Sequence, residues 1–261
     1  VLIAGPSSSG KTTTSKKLSL YLKSLGMKPE PLSIDDYFKE RNNTPKDENG
    51  EPDYECIEAI DLNLFNNHLT KLLNGEEVEI PTFNFRTGQK EFNKKIKLEK
   101  NDILIIEGLH ALNEELTKSI SNNRKYKIYI SPLASLNIDN HNRITTSDLR
   151  LLRRMVRDNR TRGYDAIETL GRWRKVRKGE EKHIFPFQSN NDVVINSSLL
   201  YELSVIRTYA EPLLFSVPHG DPNYNEAIRL INLIRNVLPI AGIKIPYDSI
   251  LREFIGDSYF K

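Results

Sequence analysis

The chain has 261 residues and a formal net charge of only +3, so its bulk electrostatics do not argue for a nucleic-acid partner. Its single cysteine, Cys56, excludes an internal disulfide, lacks neighbours at metal-ligand spacing, and fits a reducing, cytoplasmic setting. No apolar run approaches the roughly 20 residues that a membrane-spanning helix needs, no signal peptide is expected, and the length suits one large α/β domain or two small ones.

Val1-Leu2-Ile3-Ala4 reads as a short buried strand, and Thr12 to Leu25 as a helix with Leu18, Leu22 and Leu25 on one stripe and Gly26 as its stop. Between them Gly5-Pro6-Ser7-Ser8-Ser9-Gly10-Lys11-Thr12 fits G-x-x-x-x-G-K-[ST] at every fixed position. Glycines let the backbone curl so that successive N–H groups face a phosphate, and the following helix adds its N-terminal partial charge. The nucleotide-binding set is therefore Gly5, Ser7, Ser8, Ser9, Gly10, Lys11, Thr12 and Thr13. Lys11 would reach the β- and γ-phosphates of ATP or GTP, and the Thr12 hydroxyl would ligand Mg²⁺.

Pro31 to Ile34 reads as a second strand ending in Asp35-Asp36-Tyr37-Phe38. Ligands of doubly wound sheets sit at carboxyl strand ends, which places Asp35 beside the phosphate loop as a base or a Mg²⁺ ligand. Lys39 to Glu55, with Asn42-Asn43 and Asn49-Gly50, reads as a long loop with Asp53 near its end. Asp61 is the predicted cap of a helix carrying Leu62, Phe65, Leu69, Leu72 and Leu73 and ending at Gly75. Glu79 to Phe85 and Lys94 to Leu98 are predicted strands of a projecting hairpin turning at Thr87-Gly88.

Asp102 to Gly108 is the clearest buried strand, and Glu107 at its carboxyl end is the second expected Mg²⁺-linked carboxylate. His110 just beyond it reads as a packed histidine, and Lys127 to Ile130 as a further strand. Arg150 to Lys182 holds twelve Lys/Arg against five Asp/Glu. Leu149, Leu152 and Val156 form a helical stripe there, with Arg153, Arg154, Arg157, Arg160 and Arg162 on the polar side and Asp158 among them. Like charges this close repel unless an anion offsets them, and arginine holds phosphate bidentately. A phosphate-clamping lid over about 150–182 is the sharper reading and RNA binding the competing one. Trp173 could stack on a base or pack on the domain. Asp192 to Ile195 completes the core strands, and Leu199–Tyr209, Glu226–Val237 and Ser249–Ile255 read as helices without chemical residues. Strands alternate with helices throughout, which predicts one α/β domain over 1–261: a doubly wound, mainly parallel sheet of the phosphate-loop NTPase type with a hairpin at about 79–98, an arginine-rich helical lid and C-terminal helices at about 222–256.

The motifs GPSSSGKTT, LSIDDYF, IPTFNF, DILIIEGLHALN, RRMVRDNRTRG and NNDVVINSS follow one another in this order. Together they resemble the uridine kinase and phosphoribulokinase family over about residues 1 to 209. The resemblance implies transfer of the γ-phosphoryl group of ATP or GTP to a hydroxyl, typically the 5′-OH of uridine or cytidine. It implies Asp35 as the base, Asp53 as a ribose contact, and Arg154, Arg157 and Arg162 as lid and phosphate residues. The family's pyrimidine-reading tyrosine falls on Phe83, and its histidine region reads Arg86-Thr87-Gly88-Gln89. A further lid arginine is replaced by Tyr164, and the Asp53 loop is about two residues longer. These departures bear on base specificity and leave phosphoryl transfer intact, so a sugar-phosphate or pantothenate-like acceptor stays open, as does a nucleotide-dependent RNA-binding module. The chain also resembles a bacterial subgroup of uridine kinases that often carries an upstream TGS and threonyl-tRNA-synthetase-like region, which would explain the start at Val1. A small-molecule acceptor, no membrane and an open question of homo-oligomerisation complete the expectations.

Overall fold

The structure is a computed structural model and describes residues 1–48, 50–84, 87–134 and 137–260. Asn49 of the long loop, Phe85 at the end of the predicted hairpin strand and Arg86 of the pyrimidine-reading region lie outside the described residues. The chain divides into two compact units, each assembled from separate segments. The first holds Val1–Pro6, Thr14–Tyr129 and Gly179–Val194, and the second Ser7–Thr13, Ile130–Lys178 and Ile195–Lys261.

Strands β1 (Leu2–Ala4), β2 (Pro29–Ser33), β5 (Ile103–Glu107), β6 (Lys127–Ser131) and β7 (Val193–Asn196) form a sheet in the order β2-β5-β1-β6-β7. β5 runs parallel to both β1 and β2, and β1 parallel to β6. Parallel strands are covered on both faces, which is why β1 and β5 read as unbroken apolar runs. β2 starts and ends earlier than its hydrophobic run suggested. The chain turns into a short 3-10 turn at Ile34–Tyr37, so Asp35 and Asp36 sit on that turn rather than at the strand's last residues.

Helix α1 (Lys11–Ser24) departs from the predicted stripe. Its buried positions include the small residues Ser15 and Ser19, whereas Leu25 lies past the helix end and is 72% exposed. Helix α2 (Leu62–Leu73) follows the sequence closely. The Asp61 carboxylate accepts from the Leu64 N–H at 3.1 Å, and Phe65, Leu69 and Leu72 are fully buried, each worth about 2 kcal/mol of transfer free energy. The hairpin pairs β3 (Val78–Asn84) with β4 (Gln89–Ile96), closing at Asn84↔Gln89 with Gly88 at φ 73°. β4 begins five residues before its predicted start at Lys94, because Gln89 to Phe92 pair by backbone although most of their side chains are polar. Val78, Ile80, Phe83 and Ile96 join the first unit's core around Tyr37, Phe65 and Leu116.

The second unit is helical. Its core gathers Leu149, Leu152 and Val156 of α3 (Thr146–Arg162), Trp173 of α4 (Ala166–His183), Val205 and Ile206 of α5 (Glu202–Phe215), Leu230 of α6 (Tyr224–Ile234) and Phe254 of α7 (Arg252–Ile255). α5 runs six residues beyond its predicted end, past Pro212. The last predicted helix shrinks to α7, a single turn.

Candidate active site

The phosphate loop leaves β1 at Gly5 and enters α1 at Lys11. Ser8 and Gly10 take positive φ, 60° and 91°, the bends that turn consecutive N–H groups inward. Ser7, Ser8 and Ser9 are buried, and among the described residues the Ser8 and Ser9 hydroxyls have no hydrogen-bond partner. Buried hydroxyls without partners fit a site built for a ligand rich in oxygen. Lys11 and Thr12 lie in the first turn of α1, where the helix dipole favours an anion.

In the second unit three arginines of α3 bond to Ser7 and Ser8 of this loop. Arg150 Nη1 donates to Ser7 O at 3.1 Å, Arg153 Nη1 to Ser8 O at 3.2 Å, and Arg154 Nη1 to Ser7 Oγ at 2.8 Å. Arg150 and Arg153 are 1% and 0% exposed, which corrects the expectation that Arg153 lies on a polar face. Arg153 is locked in a two-pronged pair with Glu202 of α5, one contact measuring 2.7 Å, and also donates to Ser197 O at 2.8 Å. Three arginines, Arg154, Arg157 and Arg162, converge on Asp158, itself 1% exposed. Arg157 reaches it at 2.8 Å, Arg154 at 3.2 Å and Arg162 at 3.6 Å. Burial pushes the Asp158 carboxyl up, but Arg157, Arg162 and Arg154 together hold it below the usual carboxylate range. An internal anion therefore offsets much of the charge that sequence reasoning assigned to phosphate or RNA. Trp173 packs in the core with the Arg150 guanidinium 5.3 Å from its ring, so it is no base-stacking platform.

The first unit carries the acids. The register Ile3↔Glu107 and Ser33↔Glu107 levels the carboxyl ends of β1, β2 and β5, so Glu107 stands beside the strand that feeds the loop. Ser33 Oγ donates to Glu107 Oε1 at 2.9 Å and orients it. Two residues on, the adjacent acids divide their work. Asp36 accepts from the Phe83 N–H at 3.1 Å and so anchors the hairpin, and its burial pushes its carboxyl upward. The Asp35 carboxylate has no such partner among the described residues. Asp53 accepts from the Glu55 N–H at 3.0 Å, which shapes the end of the long loop. Phe83 is 6% exposed, its ring 5.8 Å from that of Phe38 in the core. Thus Asp35, Asp53, Phe83 and Glu107 belong to the first unit, and Ser7 to Thr13 with Arg154, Arg157 and Arg162 to the second.

Hard oxygen donors suit Mg²⁺, which takes one or two carboxylates and completes its shell with phosphates and water. Thr12 and Glu107 fit that chemistry. Sequence reasoning missed Glu202 and Glu253, which acts on Thr13 through Oε2. It also missed the burial of Arg153, although a signal was present: residues 149, 152, 153 and 156 make one continuous helical face.

The model of the Phosphoribulokinase / Uridine kinase family matches residues 1–202. This chain belongs to that family. As a member it is a phosphate-loop kinase that uses ATP and a small-molecule hydroxyl acceptor. It is 31% identical to the uridine kinase of Staphylococcus haemolyticus (strain JCSC1435) over 194 residues, covering 74% of this chain and 84% of the relative. The uridine kinase of Staphylococcus aureus (strain JH9) is 29% identical over the same shares. Among solved structures, phosphoribulokinase from Rhodobacter spheroides covers 97% of both chains at 16% identity with a TM-score of 0.50, a likeness of fold. Among the described residues no helix is long and apolar enough to cross a membrane.

Proposed function

We propose that this kinase transfers the γ-phosphoryl group of ATP, or of GTP, to the 5′-hydroxyl of uridine or cytidine in the cytoplasm. The observation that carries the reading is the pair of neighbouring acids with different fates. Asp36 is tied to the hairpin, while among the described residues no side chain holds the Asp35 carboxylate. Asp35 takes the proton of the attacking hydroxyl as its oxygen bonds to the γ-phosphorus. The bond from that phosphorus to the β-phosphate oxygen breaks, and the diphosphate leaves. Lys11 and the loop N–H groups bear the charge that spreads over the transferred oxygens, with Arg154, Arg157 and Arg162 supplying positive charge from α3. Thr12 and Glu107, with Asp35 as the alternative ligand, would hold Mg²⁺, which when bound would supply neutralisation of phosphate charge. Asp53 and the hairpin hold ribose and base. The similarity to staphylococcal uridine kinases supports the nucleoside.

Phe83 favours a second acceptor class, because a phenyl ring packed in the core offers no hydroxyl to a pyrimidine. A sugar phosphate or pantothenate-like alcohol is that alternative. ATP-to-ADP turnover with Mg²⁺ across uridine, cytidine, adenosine, guanosine, ribulose 5-phosphate, pantothenate and no acceptor separates the two. Uridine or cytidine is expected to stimulate turnover, and Asp35→Asn to lower kcat at least about a hundredfold. Stimulation by another acceptor would replace the nucleoside reading, and near-normal turnover in Asp35→Asn would remove Asp35 as the base.

A further inference from the structure

The C-terminal segment of the chain lies on its own phosphate loop. A Cβ on Gly10 would meet Ile250 Cδ1 at 2.3 Å and Cγ1 at 2.7 Å, so the Ile250 side chain sits directly over that glycine. Three residues later, Glu253 turns onto the first turn of α1. Its Oε2 accepts from the Thr13 N–H at 3.1 Å and from Thr13 Oγ1 at 2.7 Å. The segment is firmly seated. The buried Arg252 guanidinium donates to Gly242 O at 3.0 Å and to Ile245 O at 3.2 Å. Arg160 donates to Glu253 O at 3.2 Å and to Phe254 O at 3.3 Å. The Phe254 ring, fully buried, lies 4.9 Å from the guanidinium of Arg153, the side chain that also holds Ser8 O.

The first N–H groups of a helix have no partner within it, and in a phosphate loop they are the donors that receive phosphate oxygens. Thr13 N–H is one of them, and the Thr13 hydroxyl is a second donor beside it. A carboxylate oxygen resembles a phosphate oxygen in charge and in acceptor geometry. We propose that Glu253 is an internal ligand of the phosphate loop, which a nucleotide must displace from Thr13 in order to bind. The C-terminal segment then sets the affinity for nucleotide by competition, and the carboxylate, being half-buried, is able to swing out towards water when displaced. This inference rests on the loop's being the nucleotide site.

Calorimetric titration of the full chain with ATP, ADP and adenosine tests it in Glu253→Gln, Glu253→Ala, Arg160→Ala and Lys11→Ala. Both Glu253 variants are expected to bind ATP and ADP more tightly, roughly tenfold for Glu253→Ala, the scale of one charge-assisted hydrogen bond no longer broken. Adenosine, which has no phosphate, should be unaffected. Arg160→Ala keeps the carboxylate but loosens its backbone, and should shift affinity the same way by less; it carries the test if Glu253→Ala fails to fold. Unchanged or weaker ATP binding in the folded variants overturns the internal ligand and leaves Glu253 a simple cap of α1. Lys11→Ala separates this failure from that of the site itself. If it binds ATP like the parent, the loop is not the nucleotide site, and any gain from Glu253 would have another cause.

Discussion

His110 shows at the scale of one residue how burial becomes pH dependence. It is 3% exposed, and burial pushes its imidazole down to about 4. His183 pushes the same way, while the Glu55 backbone, Glu58 and Asp53 pull upward. Unfolded, the same group titrates near 6.5. Between these values the unfolded chain binds the proton and the folded chain refuses it. The contribution to stability is therefore complete above about pH 6.5 and is lost as pH falls towards 4, amounting to about 2 kcal/mol between pH 7.5 and 5. Urea unfolding at these two pH values should show that loss in the parent and a flatter response in His110→Asn. An equal slope in both would mean that His110 is protonated freely in the folded state.

At the scale of elements, the local parts were readable and the distant partnerships were not. The loop, the Asp61 cap and the Glu107 strand end each declare themselves within about ten residues, because a turn, a cap and a buried strand are made by near neighbours. Glu202 sits 49 residues from Arg153 and Glu253 240 residues from Thr13, and in the sequence each is an ordinary acid on a polar face. The hairpin residues Gln89 to Phe92, which lie outside the strand predicted from Lys94, are held in register by backbone pairing and are mostly polar, so they carry little hydrophobic signal. The Arg153–Glu202 pair joins α3 to α5 and holds Ser8 O, so its stability and its service to the loop can be pulled apart. Glu202→Gln leaves a buried guanidinium without its counter-charge and should cost about 3 to 5 kcal/mol in denaturant unfolding. The double replacement Arg153→Met with Glu202→Leu removes both charges and should recover most of that. It also removes the donor to Ser8 O, so ATP should bind more weakly to this stable protein. Parent-like ATP affinity in the double variant would show that the loop keeps its shape without Arg153.

For the molecule as a whole, the phosphate loop is the first of several places where the chain passes from one compact unit to the other: β1 and Gly5-Pro6 belong to the first, Ser7 to Thr13 to the second. Each unit has its own apolar core, and the two carry different chemistry, carboxylates at strand ends in the first and arginines with loop residues in the second. The loop's buried hydroxyls and inward-turned N–H groups exist as a set only while the fold holds Ser8 and Gly10 at positive φ. A nucleotide that binds there should bind the native chain and not the unfolded one, and must then raise stability by mass action. At a concentration a hundredfold above Kd the gain is about 2.7 kcal/mol, which for a chain of this length is about 5 to 10 °C in Tm. Scanning calorimetry with ATP and Mg²⁺ should show that rise in the parent, and Lys11→Ala should melt at the same temperature with and without nucleotide. A rise of equal size in Lys11→Ala would place the nucleotide elsewhere on the molecule. No rise in the parent would mean that the loop, though shaped for phosphate, does not hold a triphosphate in this chain.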